Sequence, residues 1–153
     1  MEARGRVSIP TKIREILNVV YEGKIVLTCG FFEKNPHLLL FPLREWEAFE
    51  AQYPAQGMLD YDEHSFMARL RTIGSCEETR LDDHGRVVLP DFMRSYAGLD
   101  REASFVGMGK YLALFSPRVL DRVSADAEKN LSHVRESLTR KNQWESSGST
   151  TSR

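Results

Sequence analysis

The spacing of apolar positions changes several times along this chain, and each change marks an element. Lys24 to Cys29, His37 to Phe41, Ala103 to Gly107 and Tyr111 to Phe115 are short apolar runs bounded by turn residues, and they read as two pairs of strands. Val7 to Ile9, Val87 to Leu89 and Ser75 to Leu81 read as further strands. Helices alternate with them. Pro10 and Pro90 open short ones whose apolar residues, Ile13, Ile16 and Leu17 or Phe92, Met93 and Tyr96, share a face. Pro42 and Pro117 start two more, since a proline at the first helical position gives up a hydrogen bond that was missing anyway, and Ser116 can cap the exposed amides. Leu43, Trp46 and Phe49, with Tyr53 one turn on, and then Phe66, Met67, Leu70 and Ile73, predict two linking helices. Leu120, Val123, Ala127, Leu131, Val134 and Leu138 keep steps of three or four, which predicts one long C-terminal helix with a single apolar stripe. From Ser146 the tail holds no apolar residue and is expected to stay disordered.

Self-similarity organises these elements. Residues 2–17, EARGRVSIPTKIREIL, align without a gap on residues 82–97, DDHGRVVLPDFMRSYA. Gly5 matches Gly85, Arg6 matches Arg86, Val7 matches Val87, Pro10 matches Pro90 and Arg14 matches Arg94. Each copy is followed by strand, turn, strand and a prolyl helix start, so the chain is two similar half-domains in tandem. Gly5 and Gly85 fall at tight turns before a strand, where a positive φ suits glycine, and Gly98 has the place of a left-handed helix cap.

Composition narrows the class. A chain of 153 residues with 41% hydrophobic content can bury a real core. No apolar run approaches the roughly 18 residues of a membrane span, and no basic start precedes an apolar signal segment. Cys29 and Cys76 have neither metal-ligand nor disulfide-framework spacing, which fits a reducing cytoplasm. The net charge of −1 is unusual for a protein that grips phosphates, so any nucleic-acid surface must be local.

The doubled pattern x-G-R-[ILV]-x-[IL]-P-x-x-x-R, with D-x-x-x-R complete as Asp82 to Arg86 and altered as Glu2 to Arg6, resembles the MraZ family over roughly residues 2–140. The half-domains of that family belong to the SpoVT/AbrB-like swapped-hairpin group. The resemblance implies an α+β fold of tandem swapped-hairpin AbrB-like β-barrel modules with short helices and a long C-terminal helix. The expected organisation is a first module over 1–46, linking helices over 47–74, a second module over 75–122, a C-terminal helix over 123–145 and a tail over 146–153. It also implies a cytoplasmic, nucleoid-associated regulator that binds repeated promoter boxes of double-stranded DNA at the division and cell-wall gene cluster. Family members act as ring-like homo-oligomers, and linked weak sites of that kind suit a near-neutral chain. Two departures stand out: Glu2 replaces the usual Asp, and the first motif lacks the strand expected ahead of it, so either the true start lies upstream of Met1 or the first module is weakened or completed by a neighbour.

Carried onto this chain, the DNA-facing loops are Arg4, Gly5 and Arg6, and Asp82, His84, Gly85 and Arg86, with Glu2, Arg14 and Arg94 secondary. Arg6 and Arg86 suit guanine edges or phosphates, because a planar fork bonds two acceptors at once. The competing reading is a turn arginine paired with Glu2 or Asp82, and for Arg14 and Arg94 it is internal pairing in place of phosphate contact. Arg4 and His84 hold one turn position, expected to face solvent. His37, His64, His84 and His133 are too scattered for a metal site. Glu45, Glu47, Glu50, Asp60, Asp62 and Glu63 read as a solvated face, and Trp46, Tyr53, Phe66 and Phe105 as core and not a stacking platform. No G-x-S-x-G elbow, P-loop or carboxylate pair nominates an enzyme, no cofactor is implied, and Gly107-Met108-Gly109 is a hairpin turn. The alternative to a DNA regulator is an oligomeric protein-interaction module that kept the fold and lost DNA binding.

Overall fold

The structure, a computed structural model, describes residues 5–30, 34–52 and 62–131. In chain order the elements are β1 (Arg6–Ser8), α1 (Thr11–Tyr21), β2 (Lys24–Cys29), β3 (Leu38–Pro42), α2 (Leu43–Glu50), α3 (Glu63–Thr72), β4 (Glu77–Arg80), β5 (Arg86–Val88), α4 (Asp91–Ala97), β6 (Ser104–Gly107) and β7 (Leu112–Phe115). A last helix, α5, begins at residue 117 and is helical through residue 131. Residues up to Val119 form one compact unit, and Leu120 onward forms another. The fold is α+β with antiparallel pairing throughout.

Two sheets are present. β1 and β5 form a two-stranded ribbon, and the other strands form a five-stranded sheet in the order β4-β2-β3-β7-β6. At the middle of the larger sheet Leu39 pairs with Ala113, flanked by Leu38 with Leu114 and Leu40 with Leu112. The ribbon is centred in the same way, Val7 on Val87. These registers describe a local two-fold that exchanges β1 with β5, β2 with β6 and β3 with β7. The repeat in the sequence is therefore a symmetry of the fold. Its halves are interleaved and not side by side: β4, which precedes the second motif, pairs with β2 of the first half. Among the described residues the strands do not close into a barrel, and β4 and β6 remain the edges.

The core lies between the ribbon and the large sheet. Val7, Ile9, Val87 and Leu89 enter it from the ribbon, Leu17 and Met93 from α1 and α4, and Ile25, Leu27, Leu38, Leu40 and Leu114 from the sheet. β3 is buried at all five positions because it is central and covered on both faces. Phe41, Trp46, Phe49 and Tyr111 form a second cluster, with Phe41 stacked on Tyr111 at 4.7 Å and Trp46 edge-on to Phe41 at 5.4 Å. α1 ends on Glu22 at φ 56°, followed by Gly23 at 68°, and α4 ends on Gly98 at 62°.

Several sequence expectations need correction. Pro10, Pro42 and Pro90 are N-cap residues with extended ψ near 140°, one position before the helix proper, where the ring's fixed φ serves equally well; Pro117 alone of the four is helical. Phe66 is not core: it is 55% exposed, and Met67 and Leu70 on the same α3 stripe are exposed with it. Ile16 of α1 and Phe92 of α4 also face outward, because each short helix buries only a narrow strip, Leu17 in one and Met93 and Ala97 in the other. Phe105 is half-buried, whereas Trp46 is core. Tyr53, Asp60, His133, Val134, Leu138 and the tail from Ser146 lie outside the described residues, as does the upper part of the helix expected over 123–145.

Leu27 is fully buried in β2 between β3 and β4. Leu27→Ala is expected to lower unfolding stability by roughly 2–5 kcal/mol, read from urea denaturation midpoints.

Candidate nucleic-acid interface

Strand alternation decides which ribbon side chains face the core. Val7 and Val87 point inward, so Arg6 and Ser8 on β1, and Arg86 and Val88 on β5, point to the opposite face. In the register Arg6 lies across from Val88 and Ser8 across from Arg86. The two repeated arginines thus share one face of one ribbon, related by the local two-fold. Neither is sealed in the core: both are half-buried.

The loop before β5 is built around one carboxylate. Asp82 Oδ1 accepts hydrogen bonds from the backbone N–H of His84 and of Arg86, both at 2.9 Å, and Oδ2 accepts from Arg86 Nε at 2.8 Å. Backbone bonds close the turn, from Asp82 N–H to the Arg86 carbonyl and from Gly85 N–H to the Asp82 carbonyl, each at 2.9 Å. This is an aspartate turn with an added ion pair that orients the guanidinium. The Arg86 backbone N–H, ahead of the Arg86 side chain and the His84 N–H, holds the Asp82 carboxyl below its ordinary range despite some desolvation. The turn-arginine reading of Arg86 is thus the one seen, with its guanidinium oriented by Asp82.

The secondary arginines act across the repeat. Arg14 of α1 lies over Gly85 of the opposite loop and donates from Nη1 to the His84 carbonyl at 3.1 Å. Arg94 of α4 lies over Gly5, and Nη2 also pairs with Asp91. Each helix arginine thus props the other half's loop. Both glycines are needed there. They sit at φ 72° and 70°, and a Cβ on Gly85 would come within 1.7 Å of Arg14 Cδ, while one on Gly5 would meet Arg94 Nε at 2.9 Å and the Leu89 carbonyl oxygen at 3.0 Å. His84 is exposed at the loop tip. Glu2 and Arg4 lie outside the described residues. The matching Arg at the eighth position after Arg6 and Arg86 was visible in the sequence, but its target in the other half was not.

Other chemistry is sparse. Burial pushes the Cys29 and Cys76 thiols up, so neither is an activated nucleophile. His37 is buried, stacked on Phe115 at 4.8 Å and bonded to the Asn35 carbonyl at 2.8 Å. Among the described residues no helix is long and apolar enough to cross a membrane.

Comparison with known proteins decides the family. The MraZ protein family matches residues 1–67 and 73–142. The chain belongs to the MraZ family. A relative from Nitrosococcus oceani is 36% identical over 140 residues, covering 92% of this chain and 89% of its own. One from Shewanella denitrificans is 42% identical over 108 residues, 71% of this chain and 68% of its own. One from Methylobacillus flagellatus is 33% identical over 118 residues, 76% and 75%. All three are named "Transcriptional regulator MraZ". This places the chain among regulators of transcription and not among enzymes.

Two outcomes follow from the loop. Gly85→Ala combines a positive φ, which costs a non-glycine residue about 1–2 kcal/mol, with the Arg14 collision, so it is expected to lower Tm more than Gly98→Ala, where a Cβ meets no atom within 4 Å. Because the Asp82 pKa is depressed in the folded state, its contribution is complete above the unfolded value of about 3.9 and is lost as pH falls through the lower, folded value. In an NMR titration the His84 and Arg86 amides should hold their shifts until below pH ~4 and then move together. An Asp82 titration at the ordinary value would contradict the assignment.

Proposed function

We propose that this chain binds double-stranded DNA sequence-specifically through the outward face of the β1–β5 ribbon and its two loops, Arg4 to Arg6 and Asp82 to Arg86. The observation that carries the reading is the placement of Arg6 and Arg86 on one ribbon face, with Asp82 engaging Arg86 through Nε. A guanidinium oriented in this way presents a planar fork suited to O6 and N7 of guanine, or to a phosphate. The His84 tip lies beside it, and Arg14 and Arg94 act by fixing the loops.

The targets in this reading are repeated promoter boxes at the division and cell-wall gene cluster, and the setting is the cytoplasmic nucleoid. The two motif-bearing segments, 1–46 and 75–122, contribute one loop each, and a ring-like homo-oligomer multiplies them. Avidity from several such ribbons on several boxes removes the need for a strongly basic chain. The apolar stripe of α1, with Val19 85% exposed beside Ile16 and Val20, supports self-association. The same stripe favours the second reading, an oligomeric module without DNA affinity.

Fluorescence anisotropy on the chain's own upstream promoter region separates the two. Wild-type protein should bind it over scrambled DNA, with log affinity falling linearly as log salt rises. Arg86→Ala should weaken binding at least tenfold at unchanged oligomer mass by light scattering. Unaltered affinity of that variant, or a flat salt response, would leave only the interaction module.

A further inference from the structure

The outward face of the ribbon carries Arg6, Ser8, Arg86 and Val88, and the hydrogen-bond ladder fixes how they meet. The Ile9 N–H donates to the Gly85 carbonyl and the Leu89 N–H to the Gly5 carbonyl, each at 3.0 Å, which makes these the hydrogen-bonded positions. Arg6 with Val88 and Ser8 with Arg86 therefore fall at the alternate positions, where opposed residues lie closest, about 4.5 Å apart at Cα.

The two repeated arginines thus have different neighbours. Ser8 and Val88 are equivalent under the local two-fold, yet one offers a hydroxyl and the other only methyl groups. Val88 is not a core residue: it is 55% exposed, whereas Val87 beside it is fully buried. The register sets Val88 next to the aliphatic stem of Arg6, with Arg86 two residues away on the same strand and the same face. The result is a small exposed apolar step on the face that carries both arginines.

We propose that Val88 is a specificity-determining residue that reads the C5-methyl of a thymine adjoining the base contacted by Arg6. In this assignment Ser8 leaves the equivalent place, beside Arg86, indifferent to that methyl. The inference rests on the DNA-binding reading of the same face. A two-stranded ribbon fits the major groove, where thymine presents a methyl group that the other three bases lack, and apolar side chains recognise it by direct contact. A serine hydroxyl can donate or accept, so it serves several base edges and imposes no such choice. The arginines supply most of the grip in this scheme, and the exposed valine adds selection without charge.

The test measures anisotropy on labelled duplexes that hold one box from the chain's own upstream promoter region. Each carries deoxyuridine in place of a single thymine, which removes only the C5-methyl. Wild-type protein is expected to lose roughly fourfold in affinity at one thymine, the value of one buried methyl-sized group. Val88→Ser protein should bind the thymine and deoxyuridine duplexes alike, with the wild-type salt slope, because no phosphate contact is removed. Serine is accommodated at such a surface site, since Ser8 already holds the equivalent one. Specific binding in which no single deoxyuridine matters would overturn the assignment and leave the DNA-binding reading standing. So would a Val88→Ser variant that keeps the wild-type loss or shows a shallower salt slope. Binding no tighter than to scrambled DNA would overturn both.

Discussion

Alternation along a ribbon only three residues long sets the rest of the structure. Val7 and Val87 meet at its centre and face the core, and that single choice turns Arg6 and Arg86 to the other side. A shift of the register by one residue would bury two guanidinium groups and expose two valines. The glycines at each entrance fix the register by admitting a turn that other residues resist, and the opposing helix arginines close over them. Backbone bonds from Ile9 to the Gly85 carbonyl and from Leu89 to the Gly5 carbonyl, each at 3.0 Å, tie both ends symmetrically. Position, not net charge, concentrates positive groups on this face.

Asp82 shows how an acidic residue serves such a face. It offsets part of the Arg86 charge, yet it organises three donors of one short loop, two of them backbone amides. An exposed ion pair alone contributes little, because solvent screens it and side-chain freedom opposes it. Here the carboxylate also fixes the backbone, so the guanidinium is held before any partner arrives and less ordering remains for binding.

Much of this was legible in the sequence. The gapless match of 2–17 to 82–97 located both loops, both positive-φ glycines and the helices behind them, because these features depend on near neighbours. Strands β2, β3, β6 and β7 followed from their apolar runs to within a residue. What stayed hidden was non-local. The equivalence is eighty positions at the motif, but the turn between β2 and β3 is longer than that between β6 and β7, so the offset drifts and a single alignment cannot carry the strand pairing. The exchange of β4 into the first half, and the reach of Arg14 and Arg94 across the repeat, depend on that pairing. Periodicity likewise identified the apolar stripe of α3 but not whether anything lies against it, which is why Phe66 was expected in the core and is at the surface.

The internal two-fold joins halves that are alike but unequal: Asp82 answers to Glu2 in the sequence, and the α1 helix is longer than α4. In a homodimer of single modules every contact would be duplicated by symmetry, and a surface it recognised would have to be self-complementary in the same sense. Covalent fusion removes that obligation. Each arm of the ribbon can change without its twin, so under the proposed DNA-binding reading a target need not be palindromic.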